Sequence, residues 1–395
     1  MLHRYRFSNF FSFQQETEIS FLLSRKAPED GLAVTCATGE RLSKVLAVIG
    51  ANGSGKTSVI KPLAFLDWFV RDSFHAKPDA KIPIEPHFFS DERESTFEVE
   101  FDWDNSLWRY KATVTPDRVL AEALYRKTSR VFSYIFTRKW MDESKSYEIK
   151  QQGFGFSPRE AEKVRENASL ISTAVQYDVP LARDMIAAQS VYTNVNYRGR
   201  SHFNVDQVIS ASNFYADHTE MWARMVELLR DWDLGLSGVD IRKIPITQPS
   251  GEQKEIFIPF GQHDCGSKQA ELAFFQESSG TQGAFVLLAK LLPALAHGGI
   301  AVIDELEADL HPHMLTPIMD LFLDEVSNPL NAQVIFTCHS MEIFNLLHKA
   351  QVILVQKSDD CRSEAWRLDS MQGVRSDDNL YAKYMSGTYG AVPNV

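Results

Sequence analysis

The 395-residue chain has only four cysteines, Cys36, Cys265, Cys338 and Cys361, and no two of them form a CxxC pair. That excludes a disulfide-built miniprotein and a zinc ribbon, and it suits a reducing compartment. His311 lies near His313 and His263 near Cys265, but two ligands do not make a zinc site. Long hydrophobic runs are also missing. The longest, residues 284–296, is broken by Lys290 and Pro293 and falls short of the ~20 residues that span a bilayer. The opening MLHRYRFSNFFSF lacks the uninterrupted apolar core and small-residue cleavage site of a signal peptide. Positive charge is in deficit, with 41 Lys and Arg against 52 Asp and Glu, a net charge of −11. A blanket nucleic-acid binder needs clustered cations to neutralise phosphate, so this balance disfavours one while leaving local nucleic-acid contact open. The expectation is a cytoplasmic protein without a membrane partner. With 44% hydrophobic and 24% charged residues, the chain has the composition of a globular protein rather than a disordered one.

Hydrophobic periodicity lays out the elements. His3, Tyr5 and Phe7, then Thr17, Ile19 and Phe21, alternate as strands do. Residues 45–49 (VLAVI) form a continuous apolar run ending at Gly50, the profile of a strand buried on both faces. Residues 57–69 follow with helical spacing despite Pro62. Residues 97–150 are rich in aromatic and β-branched residues and predict an antiparallel meander, with Asp102-Trp-Asp104 read as a strand-to-strand turn rather than a metal site. Composition shifts near residue 155. Residues 157–188 and 217–234 predict helices, joined by a polar, aromatic connection over 192–212. Further on come a buried helix at 284–295, short strands at 300–303, 334–336 and 352–355, and a helix at 313–326 in which Pro317 marks a potential kink.

The motifs carry the chemistry. Gly50-Ala-Asn52-Gly53-Ser54-Gly55-Lys56-Thr57, followed by Ser58, matches GxxxxGK[ST]. Glycines let backbone N–H groups turn inward around phosphates, Lys56 supplies a cation for the β- and γ-phosphates, and Thr57 offers a hydroxyl to Mg²⁺. The apolar strand at 300–303 runs into Asp304-Glu305. One carboxylate, Asp304, suits Mg²⁺ held through water, and the second, Glu305, suits activation of the attacking water. A further strand ends in Cys338-His339-Ser340, where His339 can donate to the γ-phosphate. Ser278-Ser279-Gly280 opens the buried helix, either as an ordinary N-cap or as a second anion nest.

Taken in order, the P-loop, SSGTQ, IDE and CHS resemble the ABC-type ATPase head of the SMC/RecF superfamily. The resemblance implies an α/β fold: a P-loop ATPase head with a mixed sheet, an antiparallel β subdomain and a helical arm insertion. It implies ATP and Mg²⁺ as cofactors and a second copy of the chain as partner, with the Ser278–Ser279–Gly280 signature of one copy closing over the γ-phosphate bound by the other. Ala308-Asp309-Leu310-His311 would then be the loop that contacts the partner copy, His339 the switch histidine, and residues 7–13 the first strand near the nucleotide base. The signature reads SSGTQ instead of LSGGQ, and Gln176 and Gln189 are candidates for the Q-loop glutamine. The implied division is a first lobe at 1–154, an arm at 155–236 and a second lobe at 237–395. No sustained heptads appear in the arm, so it is expected to be short instead of a coiled coil. The basic, aromatic stretch from Tyr192 to His202, with Arg198 and Arg200, could touch nucleic acid or a protein, but so few cations favour a solvated loop beside the arm.

The tail, residues 373–393, and Glu166-Asn-Ala-Ser-Leu resemble stand-alone bacterial ATPases of phage-defence and abortive-infection systems (RloA/AbiL-like, with AriA, PtuA and OLD ATPase heads as broader relatives). That implies slow ATP hydrolysis and a sensor or scaffold role toward a separately encoded effector, a nuclease or toxin, with a phage component as trigger. Two alternatives stand beside it: a RecF-like clamp on duplex DNA, and a nucleotide-gated scaffold with negligible turnover.

Overall fold

Strands buried on both faces are predominantly apolar, with any polar side chain hydrogen-bonded, and VLAVI (Val45–Ile49), IAVI (Ile300–Ile303) and QVIFTC (Gln333–Cys338) are buried at every position. In the computed structural model they form the centre of a six-stranded sheet. The model describes the chain except residues 26, 29–31, 202, 233, 248–252, 309 and 393–395. The sheet order is Val191–Thr193, Ile300–Ile303, Gln333–Cys338, Val45–Ile49, Val352–Lys357 and Ser363–Arg367. The first five run parallel and the last is antiparallel. Alternate residues serve two cores. Leu46, Val48, Val302 and Ile335 face the helix Lys56–Asp72 and the second large sheet. Val45, Ala47, Ala301 and Val334 face the helix Ser279–His297.

The second sheet has seven antiparallel strands, ordered Ser146–Gln151, Phe132–Met141, Val119–Lys127, Ser106–Val114, Ser95–Trp103, Leu2–Ser8 and Thr17–Ser20. The expected meander is its larger part, and the N-terminal strand joins its edge through pairs such as Tyr5 with Val99. Gln333 links the two sheets. Its side-chain carbonyl accepts the Leu2 amide at 2.6 Å, and its Nε2 donates to the carbonyls of Leu2 and Ser43 at 2.9 and 3.2 Å. Because Gln333 is buried, those bonds replace lost hydration.

Residues 155–236 are mainly helical, but in five pieces: Pro158–Ala161, Leu170–Gln176, Pro180–Ala188, Val205–Asp217 and Thr219–Asp231. Pro158 and Pro180 each stand at a helix start, where the missing N–H costs nothing. The buried Arg138 ties this region to the antiparallel sheet, donating to the carbonyls of Ala168 at 2.7 Å and Arg165 at 2.8 Å.

The stretch expected as a solvated loop is different. It contains the strand Val191–Thr193, paired with Ile300–Val302 at the edge of the parallel sheet, and a hairpin of Val195–Asn196 with Gly199–Arg200. The predicted connection is shorter too, since the helix Val205–Asp217 begins inside it, N-capped by Asn204. Pro317 falls in the first turn of the helix Leu315–Leu323, so it produces no kink. By length and composition alone the helix Ser279–His297 could cross a membrane, but its Ala284, Phe285, Leu288 and Leu291 are fully buried core residues.

Candidate functional site

The loop after Val45–Ile49 is shaped by what leaves no room for side chains. A Cβ on Gly50 would lie 2.2 Å from the Val355 carbonyl oxygen. Gly55, the residue before the helix Lys56–Asp72, has φ of 109°. A Cβ there would meet Ser363 Oγ at 2.6 Å and Ser12 Oγ at 2.7 Å. Ser363 roofs the loop: its amide donates to the Ser12 carbonyl at 2.7 Å and its hydroxyl to the Ser54 carbonyl at 2.6 Å. Ser12 Oγ and Ser54 Oγ are buried without a hydrogen-bond partner among the described residues. Two unpaired hydroxyls beside a helix N-terminus suit an anion that brings acceptor oxygens.

Lys56 Nζ donates to the carbonyls of Gly50 at 2.9 Å and Ala51 at 3.0 Å, which holds the cation over the loop. Burial pulls its pKa below the ordinary lysine value, against the opposing pull of Asp304, Glu305 and Glu307. The Thr57 hydroxyl donates to both carboxylate oxygens of Asp304, at 3.1 and 3.0 Å. A hydroxyl beside a carboxylate is the hard oxygen set that Mg²⁺ prefers. Asp304 is fixed from three sides. Thr337 Oγ1 donates to its Oδ1 at 2.6 Å, Asn194 Oδ1 accepts its amide at 2.8 Å, and Asn194 Nδ2 donates to its carbonyl at 3.0 Å.

Glu305 follows with a left-handed backbone, φ 51°, and its amide donates to Thr337 Oγ1 at 2.7 Å. That conformation is uncommon for a side-chain-bearing residue and turns the carboxylate away from the strand. One of its oxygens pairs with Arg200, and the other lies 3.5 Å from His339 Nε2. The turn carrying His339 is held by Glu307, whose Oε1 accepts the amides of His339 and of Ser340 (3.2 Å for the latter).

Ser12, Gly55, Lys56, Thr57, Asp304, Glu305, Thr337 and His339 line one cleft of about 1040 Å³, which also contains Asn52, Gly53 and Ser58, while Gly50, Ser54, Asn194, Arg200 and Glu307 support it from behind its lining. Its opposite wall is residues 85–89 with Phe11. Phe88 and Phe89 there are 89% and 63% exposed. Aromatic faces beside a phosphate loop suit a nucleobase. The orphaned hydroxyls, the glycine positions closed to any Cβ and the oxygen set together fit a nucleoside triphosphate with Mg²⁺.

Several expected residues lie elsewhere. Among the described residues, Ser278, Ser279 and Gly280 do not line the cleft. Ser278 is the N-cap of the helix Ser279–His297, its Oγ accepting the Thr281 amide at 3.1 Å, and both serines are exposed. The corner is braced by His263, whose Nε2 lies 2.8 Å from Glu277 Oε1. Neither Gln176 nor Gln189 reaches the cleft; Gln189 donates to the Asp102 carbonyl at 3.3 Å. Asp309 lies outside the described residues. Asn194, Arg200, Thr337 and Glu307 were not found by sequence reasoning. Thr337 and Glu307 adjoin the motifs that were read, while Asn194 and Arg200 carry no local signal.

A glycine loop between a buried parallel strand and a helix, facing a strand-end Asp-Glu pair, defines a P-loop ATPase of mixed α/β architecture. Residues 45–345 match the family described as "AAA domain, putative AbiEii toxin, Type IV TA system", and the chain belongs to that family. No curated protein matches it. Among solved structures, it is similar to the SMC head domain from Thermotoga maritima at 14% identity and a TM-score of 0.45, over 93% of this chain and 98% of that one.

Proposed function

We propose that the chain is a slow ATP hydrolase whose two copies close over two Mg-ATP, and that closure regulates a separately encoded effector, a nuclease or toxin, in cytoplasmic anti-phage defence. The observation that carries this reading is a division within one chain. Lys56, Thr57, Asp304, Glu305 and His339 share a cleft, while Ser278 and Ser279 stand exposed at a helix N-terminus outside it. Ser278 caps its own helix, yet the two exposed serines and the helix N-terminus lie outside their own cleft, where they suit the nucleotide of another copy. The lobes at 1–154 and 237–395 would carry the two halves of the site, with 155–236 as the connecting insertion. The family's printed description supports the toxin–antitoxin context.

In this mechanism the loop Gly50–Asn52–Gly53–Ser54–Gly55 and Ser58 bind the phosphates through backbone and hydroxyl donors. Lys56 places its cation at the β- and γ-phosphates. Thr57 and Asp304 would hold Mg²⁺, which would supply charge neutralisation at the phosphoryl oxygens when bound. Glu305 orients the attacking water and accepts its proton, and His339 donates to the γ-phosphate. Asp309 is assigned to the loop facing the partner copy. ATP acts by its differential affinity for open and closed states.

Lys56→Ala should abolish ATP binding, whereas Glu305→Gln should bind ATP and remain trapped as a dimer. Equilibrium nucleotide binding, phosphate release and light scattering with saturating Mg-ATP check this. Unchanged turnover in both variants, or a Glu305→Gln chain that binds Mg-ATP yet stays monomeric, refutes the reading.

A further inference from the structure

Three residues that the nucleotide site does not use meet at the beginning of the N-terminal strand. His3 lies on Leu2–Ser8, Asp102 near the end of its neighbour Ser95–Trp103, and Cys36 in the turn after Ala33–Thr35. His3 Nε2 is 2.9 Å from Asp102 Oδ2 and 3.7 Å from Cys36 Sγ, and the three potential ligand atoms all lie within 4.8 Å of one another. We propose that His3, Cys36 and Asp102 form a binding site for a zinc-class divalent cation.

Two observations favour ligation over a hydrogen-bonded trio. First, Asp102 Oδ2 is buried and receives no hydrogen bond from any described residue, although His3 Nε2 is so close. Groups that ligate one ion aim at a shared centre and not at each other. A tetrahedral zinc shell with bonds of ~2.0–2.3 Å has edges of roughly 3.3–3.8 Å; the 3.7 Å from His3 to Cys36 falls in that range, and the 2.9 Å from His3 to Asp102 needs to open by only a few tenths of an ångström. Second, thiol and carboxylate both approach the same imidazole nitrogen. A proton relay would place them on opposite nitrogens, as a nucleophile–base–carboxylate chain requires. Convergence on one nitrogen leaves no relay to run.

The surroundings fit a built site. Thr38 Oγ1 lies 3.0 Å from Cys36 Sγ and donates to Asp102 Oδ1 at 3.3 Å, so it orients two ligands while leaving Oδ2 free. The backbone is also set: the Cys36 amide donates to the Glu40 carbonyl at 2.9 Å and the Asp102 amide to the Met1 carbonyl at 2.8 Å. A thiolate, an imidazole and a carboxylate select Zn²⁺ over Mg²⁺, and three protein ligands leave the fourth position to water. The site is independent of the hydrolase reading. It would clamp the start of a strand whose continuation brings Phe11 and Ser12 to the nucleotide cleft.

The test is cobalt substitution on the whole chain, chelator-treated and without nucleotide, in excess Mg²⁺. A Cys361→Ser background removes the thiol that lines the nucleotide cleft. One equivalent of Co²⁺ should raise a thiolate-to-cobalt charge-transfer band, and Zn²⁺ should displace it. Cys36→Ser should abolish the band, and His3→Gln and Asp102→Asn should each weaken Co²⁺ binding by about tenfold or more. The last two variants supply the readout if Cys36→Ser does not fold, with circular dichroism reporting folding. A folded chain that shows no band at saturating Co²⁺, or a band that survives Cys36→Ser, overturns the proposal.

Discussion

Asn194 holds the backbone of Asp304 through both of its peptide groups, accepting the amide at 2.8 Å and donating to the carbonyl at 3.0 Å. The contact joins the residue after an edge strand to the carboxylate at the end of that strand's neighbour. Asn194→Ala removes both bonds at once and leaves two backbone groups beside a buried carboxylate unpaired. The expected loss is about 2 kcal/mol of stability, the usual scale for stranded polar groups. Urea unfolding checks it. Mg-ATP affinity should fall as well, since Asp304 would then be positioned by Thr57 and Thr337 alone.

Arg200 makes an ion pair with Glu305, while His339 faces the other carboxylate oxygen. A carboxylate oxygen bonded to a guanidinium must loosen that contact before it can take a proton from water, and His339 crowds the other oxygen at 3.5 Å. Arg200→Ala should therefore raise basal ATP turnover by about two- to fivefold, the rate equivalent of the ~0.5–1 kcal/mol held by a partly exposed pair. Phosphate release at saturating ATP measures it, and a rate that falls with unchanged ATP binding would instead make Arg200 a positioning residue.

The signature corner should respond to pH through His263. The hydrogen bond to Glu277 raises the pKa of His263 against the opposing effect of burial, and the Glu277 charge and the Gly235 carbonyl at Nδ1 add to the rise. A histidine whose folded pKa is raised stabilises the fold fully below its unfolded value of 6.5, and that contribution disappears as pH rises through the folded value. The stability gap between the wild type and His263→Gln should be widest below pH 6.5 and close well above it. Urea midpoints across that range decide the point, and a gap independent of pH counts against the pairing.

Much of this arrangement was legible because its signals are local. VLAVI followed by a glycine loop, the aromatic meander and the strand running into Asp304-Glu305 each carry their pattern within a few residues. What was not legible depends on distance in the chain. Val191–Thr193 is three residues long and is a strand because Ile300–Val302 lies beside it. Arg198 and Arg200 looked like a small solvated patch, yet the Arg200 guanidinium is spent on Glu305. Asp102 looked like part of a strand-to-strand turn, and only folding places it against His3 and Cys36. The helices of 155–236 were legible in kind but not in number: breaks at 162–169 and 177–179 divide the expected run into three, with Pro180 opening the last.

Ser363 closes over Gly55 late in the chain, while Ser12 reaches the same spot from the beginning. A ribosome must therefore deliver all the chain between Ser12 and Ser363 before the cradle gains its upper rim. Nascent chains would carry a recognisable GKT loop long before they could grip a triphosphate, which keeps unfinished copies from competing for nucleotide with finished ones.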